Sequence, residues 1–596
     1  MDKISWRKTS RRRFLGTSGI AGASVLAGAA KAPFTNQASG SGRSVSTRQT
    51  FFDLMRPPDL LVAYETATPT ELAKANGSWS ADGIRVHTAI VPQSAQEPTH
   101  LRVAMVATDK AVSRIHLRWQ MRVPSGLRFL ADHWERGYGD LEWRVLIGER
   151  VMPWYFLTHD GKRTHGYGVA TCPTAMAFWR GDSAGVSLWL DVRSGGSPLL
   201  LGERTLDLCK VIAREGHEDE TPWQAARSFC TLLCHNPRML ATPIYGGNNW
   251  YYAYGDNCSA KAIERDAGII ADLSGPHANR PFQVIDDGWQ LAGANTGCCS
   301  GGPWRYGNEA FPDMPGLAAR LKATGVRPGI WMRPLLTHER GLESWALKRP
   351  RGTDGGEILL DPTIPEARAR IREDVAGLVA WGFELIKHDF STEDLFGRFG
   401  SKMGAAITDR GWSFYDRRRT TAEIVRDVYT AIREGAGERT IIIGCNTIGH
   451  IGAGVFDLQR TGDDTSGRDW NRTRRMGVNT LAFRGVQHGA FFATDADCVG
   501  ITAAVPWQLN QQWLDLLSRS GTPLFVSAAP EAVRAEQRKA LREAFARADE
   551  KRSVAEPLDW LETTTPAHWR CDGEAVTYDW YGSRGDTADQ ISRSLR

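Results

Sequence analysis

From about residue 243 onward the chain alternates short apolar runs with amphipathic stretches, and this alternation constrains the fold more than any other feature. Strand-like runs fall near 244–252, 282–287, 326–332, 383–389, 440–445, 457–463, 489–495 and 523–527. Most are separated by segments with helical periodicity. In the clearest, Thr420 and Glu423 have the spacing of a capping box, and Ile424, Val425, Val428 and Ile432 share one face. A second covers 365–382 and stops at Gly382, and a third follows the last strand over 530–548. Eight such units in one run predict a (β/α)8 TIM barrel over 239–550.

The rest of the chain reads differently. Over 51–238 the pattern is short strands and turns: "RIHLRWQMRV" (114–123) and "GVSLWLDVR" (185–193) alternate apolar with polar, and "HDGKR" (159–163) has the makings of a hairpin turn. This predicts an N-terminal β-sandwich, closed by a short helix around 222–234. The tail, 551–596, contains "AVTYDWYG" and predicts a small C-terminal β region. Residues 33–50 are rich in Ser, Gly and Gln and read as a linker.

Residues 1–32 pair "SRRRFLG" with a weakly apolar Gly/Ala-rich run, the pattern of a twin-arginine signal peptide cleaved near Ala29 to Ala32. A periplasmic or secreted protein is expected, with no stable membrane insertion once the signal is removed. The segment also carries the charge. It holds seven Lys or Arg against Asp2, a net of +6 within a chain whose formal net is +5, so about −1 remains for the other residues. The basic balance is therefore no sign of a nucleic-acid partner. The cysteines lack metal-ligand spacing; Cys298 and Cys299 are adjacent, and no metal or other cofactor is expected. The 22 tryptophans suit a scattered core or a carbohydrate-stacking surface.

In a barrel of this kind chemistry gathers at the C-terminal strand ends. Four expected ends carry acids: Asp286 and Asp287, with Trp289 close behind, on the second; Lys387 and Asp389 on the fourth; Arg460, Asp463 and Asp464 on the sixth; Asp495 and Asp497 on the seventh. One strand-end Asp is an ordinary turn residue, but several around one rim point to a site. Paired carboxylates without a His/Cys set suit acid/base or covalent carboxylate catalysis, above all glycoside hydrolysis. Lys387 would keep Asp389 ionised, and Asp464 would press Asp463 to hold a proton while Arg460 opposes it. Aspartate pairs also ligate magnesium for phosphoryl transfer, yet no Gly-rich phosphate cradle adjoins these strands.

"GGNNWYYAYG" (246–255), "VIDDGWQ" (284–290), "GIWMRP" (329–334), "DPTIPEAR" (361–368), "IKHD" (386–389) and "RTGDDTS" (460–466) occur in an order that resembles clan D glycoside hydrolases. Over roughly 240–530 the chain is similar to α-galactosidases of glycoside hydrolase family 36 or family 27. The resemblance implies an exported retaining exo-α-glycosidase, most simply an α-galactosidase acting on an oligosaccharide or polysaccharide. Asp389 would be the nucleophile and Asp463, preferred over Asp464, the acid/base. Asp286, Asp287 and Lys387 would hold the sugar hydroxyls, Trp289 and Trp250 would line the pocket, Arg460 and Cys445 would belong to the substrate-binding set, and His388 would point away and pack. Alternatives are a related sugar (α-N-acetylgalactosamine or β-L-arabinopyranose), transglycosylation, or a non-catalytic carbohydrate-binding protein. Three departures stand out. The loop after strand five, "GCNTIGHIGAG" (444–454), keeps Cys445 but lacks the family's arginine; Arg333 stands where family 36 commonly has Glu; and "GGNNW" replaces the usual Gly-Trp-Asn-Ser-Trp.

Overall fold

The computed structural model describes residues 50–255, 258–276, 278–291, 299–349 and 357–582, all within one compact unit, Gln49–Arg596. The expected signal peptide, nearly all of the linker and Cys298 lie outside the described residues.

The C-terminal two-thirds is built on one parallel sheet. In chain order its strands are Tyr245–Asn248, Phe282–Ile285, Arg327–Met332, Leu385–His388, Ile441–Gly444, Leu458–Arg460, Ala493–Asp495, Cys498–Ile501 and Leu524–Ala528. Each of the first six pairs with the next, Leu524–Ala528 pairs with Tyr245–Asn248, and Cys498–Ile501 pairs with Leu524–Ala528. The two ends of this sheet, Ala493–Asp495 and Cys498–Ile501, are separated in sequence only by Ala496 and Asp497. They are two halves of a single seventh strand, broken where Asp497 turns to φ +72°. The arrangement is that of a TIM-like barrel; seven of these strands fall inside runs expected from the sequence, Leu524–Ala528 extends one residue past its run, and Cys498–Ile501 lies outside all of them.

Helices cover the outside, and their ends follow local rules. Thr421–Ala436 starts on the Thr420/Glu423 capping box, with both reciprocal bonds made, and buries Ile424, Val425, Val428 and Ile432. Pro365–Ala380 ends just before Gly382, whose φ of +103° few other residues tolerate. After strand five only the turn Gly449–Gly452 appears in place of a long helix. The stretch 530–548 is a short 3₁₀ turn followed by the helix Ala535–Ala548. No helix among the described residues is long and apolar enough to cross a membrane.

Before the barrel stand two antiparallel sheets, of six and nine strands. Alternation creates their faces: Ile84–Val91 reads buried–exposed along most of its length. Phe156 of the larger sheet meets Trp179 of the smaller at 5.6 Å between ring centres. His159 and Thr164 close the expected hairpin, with the Asp160 carboxylate accepting from the amides of Lys162 and Arg163. The helix Pro222–Leu233 follows, also capped by a full box at Thr221. After the barrel, Glu556–Pro557, His568–Cys571 and Glu574–Thr577 form a three-stranded antiparallel sheet. The tryptophans are mostly core: Trp119, Trp134, Trp154, Trp179, Trp289, Trp304, Trp331, Trp513, Trp569 and Trp580 are among the largest fully buried side chains.

Candidate active site

The fourth barrel strand explains its own run of ionisable residues. Side chains alternate across a strand, so Lys387 and Asp389 face one way and His388 the other. His388 packs against Tyr429 and Phe456 in the helical layer, with Nε2 against the Ser391 hydroxyl, and burial drops its pKa to about 3. It is a neutral core residue.

Lys387 reaches across the barrel to the second strand end. Its Nζ lies 2.6 Å from Asp286 Oδ2, which also accepts from Asn248 Nδ2 at 2.7 Å. Burial alone would discharge the ammonium, but Asp286, with Asp389 adding, pushes its pKa well up, so the pair is ionic. Asp286 Oδ1 accepts from the amide of Asp287, and the Asp286 amide donates to Asn249 Oδ1. Asp287 is held by Gln290 Nε2 at 2.7 Å on Oδ1 and by the Cys299 amide on Oδ2.

Asp389 accepts from Trp331 Nε1 at 3.1 Å through Oδ2 and from the Phe390 amide at 2.8 Å through Oδ1. The second bond is local geometry: Phe390 sits at φ +66°, a strained turn for an aromatic residue that aims its N–H back at the carboxylate. Arg333 braces the turn. It forks onto Asp394 (Nε to Oδ2 3.0 Å) and lies over the Phe390 ring at 4.4 Å. Trp289 is wholly buried; its indole N–H donates to the Trp331 carbonyl at 2.9 Å, and it touches Trp304 and Trp381. It supports the residue that holds Asp389. Trp250 is buried beside Tyr254 at the end of the first strand.

At the sixth strand the structure adds residues that sequence reasoning missed. Arg136, from the β-rich region, lies 2.7 Å from Asp463 Oδ1, and Arg472 lies 2.9 Å from Asp463 Oδ2. Asp463 therefore carries a guanidinium on each oxygen. Burial works against its charge, but Arg136 and then Arg472 hold its pKa below the ordinary carboxylate range despite Asp464. The push toward a proton expected from Asp464 is outweighed. Arg460, expected to oppose it, instead pairs with Asp497 Oδ2 at 2.7 Å and lies 3.5 Å from Asp464 Oδ1. Arg460 and Arg136 both donate to Cys445 Sγ, at 3.4 and 3.6 Å, and burial raises that thiol's pKa strongly. Asp495 is buried, which lifts it to about 6 against the pull of Arg460.

Arg136 is delivered by backbone pairing. The Gly137 amide donates to the Thr461 carbonyl at 2.7 Å and the Asp463 amide donates to the Gly137 carbonyl at 2.9 Å, so the segment runs parallel to the end of strand six. A Cβ on Gly137 would meet Thr480 Cγ2 at 2.8 Å, which is why glycine stands there. Behind Arg136, the carboxylate of Glu135 is wholly buried, taking hydrogen bonds from Tyr138, Asn446 and the Gly400 amide. Burial lifts it to about 7 against Arg136. The only sequence trace of this is "WERGYG" (134–139), two opposite charges between a tryptophan and two glycines.

No family model matches the chain. Among solved structures it is similar to an α-galactosidase from Thermus thermophilus bound to p-nitrophenyl α-D-galactopyranoside, with a TM-score of 0.55 and 16% identity over 87% of this chain and 99% of that one. The same enzyme with stachyose gives 0.53 and 16% over 77% and 96%. A family 36 α-galactosidase from Geobacillus stearothermophilus in complex with raffinose gives 0.54 and 13% over 86% and 79%. The likeness is one of fold. It spans the barrel and the β-rich region before it.

Proposed function

We propose that the protein is a retaining exo-α-glycosidase, an α-galactosidase in its simplest form, with the barrel flanked by an N-terminal β-sandwich over 51–238 and a small C-terminal β region from 551. The observation that carries this reading is the Asp389 carboxylate, fixed by Trp331 and the Phe390 amide on the same face as the Lys387–Asp286 pair. The fold shared with α-galactosidases supports it. Asp389 would attack the anomeric carbon, forming a glycosyl–aspartate ester as the leaving oxygen takes a proton from the acid. The same acid, now a base, would draw a proton from water, which cleaves the ester and restores both carboxyls. Asp286, Asp287 and Lys387 would bind sugar hydroxyls; Trp250 and Trp289 would wall and support the pocket, with Arg460 and Cys445 at its far side. Export by the twin-arginine route would deliver the enzyme to extracellular or periplasmic saccharides.

Sequence gave the acid/base role to Asp463. A specific observation favours its neighbour, Asp464. A proton on Asp463 would break a charge-assisted bond to Arg136 or Arg472, each worth about 1.5–3 kcal/mol. Arg460 and Arg136 stand farther from Asp464, at 3.5 and 4.0 Å from its Oδ1. In this second reading Asp464 carries the proton and Asp463 anchors the cationic wall.

A rate screen on aryl glycosides tests the proposal. α-Galactoside cleavage that falls by about 10³-fold or more in Asp389→Asn is expected. Cleavage of an α-N-acetylgalactosaminide or β-L-arabinopyranoside alone would move the specificity, and transfer to added sugar would mark a transglycosidase. Sugar binding without any turnover would overturn the catalytic reading in favour of a carbohydrate-binding protein.

A further inference from the structure

The segment that carries Arg136 has a second face. Behind it lies a cavity of about 180 Å³, lined among others by Asp132, His133, Asp140, Arg144, Arg150 and Ser401. That is several times the roughly 30 Å³ share of one water molecule. Its charges balance except at one place. Asp132 is matched by Arg484, with Nε at 2.9 Å, and by Gln487 Nε2 at 2.8 Å. Asp140 is matched by His133 Nε2 at 2.9 Å, which helps to lower its carboxyl to about 2. Arg144 is paired with Glu142. Arg150 has no ion pair among the described residues, and its Nη1 is buried with no hydrogen-bond partner. Burial first, and then the repulsion of Arg144, bring its pKa down to about 10, with Asp140 only partly offsetting them.

A half-buried guanidinium whose buried Nη1 has no partner carries an unused donor that an anion would satisfy. Its planar fork matches sulfate, phosphate or carboxylate oxygens in particular. We propose that this cavity is a binding site for a compact oxyanion of the sulfate or phosphate type, free or as an ester on a saccharide, with Arg150 as its principal ligand and Arg144 as its second cation. The inference rests on the cavity's own charges and not on the glycosidase reading.

The test is titration of the full chain with inorganic sulfate against chloride at matched ionic strength, read by calorimetry and by thermal unfolding. One saturable site with a sulfate-specific rise in Tm is expected. Arg150→Gln should lose the sulfate response while its Tm in sulfate-free buffer equals or exceeds wild type, because an unpartnered buried donor has gone. Arg150→Lys keeps the charge without the fork and should bind roughly tenfold more weakly; it serves as the readout if the Gln variant does not fold. Displacement of sulfate by a galactose sulfate ester, with galactose inert, would assign the site to a substituted saccharide. Exclusion of the ester while sulfate still binds would assign it to the free anion. Equal responses to sulfate and chloride, or an unchanged response in Arg150→Gln, would overturn the proposal.

Discussion

At the scale of single residues, the Asp463–Asp464 pair is the sharpest question, because adjacent carboxylates sit in different environments. If Asp464 is the acid, Asp464→Ala should cut hydrolysis of poor leaving groups by about 10²–10⁴-fold while sparing a dinitrophenyl leaving group that needs no proton. Asp463→Ala should then impair good and poor leaving groups alike, since it takes the nearest counter-charge from Arg136 and Arg472 instead of removing a proton donor. The reverse pattern in steady-state rates would return the role to Asp463. Trp331 offers a cleaner probe. Phe at this position keeps an aromatic ring, though a smaller one, and removes one 3.1 Å hydrogen bond to Asp389. A fall in kcat of about tenfold is expected from losing a bond to a charged group, beside a lower Tm from the smaller buried ring, and an unchanged kcat would show that Asp389 does not rely on it.

At the scale of elements, the sixth and seventh strand ends hold together through charge as much as through backbone. The seventh strand breaks at Asp497, whose carboxylate takes Arg460 at 2.7 Å and the Thr465 amide at 2.8 Å. Asp497→Asn leaves Arg460 buried without its main counter-charge and should cost about 3–5 kcal/mol in denaturant unfolding; a loss under 1 kcal/mol would show that Asp464 compensates. The elements also divide what sequence could tell. Strand ends bearing Asp286, Asp389 and Asp463 were legible because a barrel's period fixes where such residues point, and the capping box at Thr420 is a local signal. Arg136 was not legible. It lies 309 positions from Cys445, and what brings it there is the close approach at Gly137, a tertiary contact that no local pattern encodes. The loop after strand five carries no arginine itself, and Arg136 from another part of the chain lies beside Cys445. Trp289 shows the converse: "DDGW" was read as a pocket motif, yet that indole braces Trp331 from within the core.

At the scale of the whole molecule, Glu135 couples the β-rich region to the barrel and should give stability a particular pH dependence. Its folded pKa of about 7 lies above the ordinary carboxyl value of 4.5. The folded state thus holds a proton that the unfolded chain has released. This contribution is complete below the unfolded pKa and is lost as pH rises through the folded one, with a slope of at most about 1.4 kcal/mol per pH unit. Glu135→Gln should flatten the decline between about pH 4.5 and 7; an identical Tm profile in wild type and variant would place the titration elsewhere. The account as a whole turns on Asp389 as a covalent nucleophile, and the most direct measurement is to trap it. The protein is incubated with a slowly turned-over fluorinated α-galactosyl donor, digested, and its peptides weighed. The account predicts one added glycosyl mass on the peptide containing Asp389, blocked by a competing galactoside. Turnover of α-galactosides with no adduct, or an adduct on another carboxylate, would contradict it.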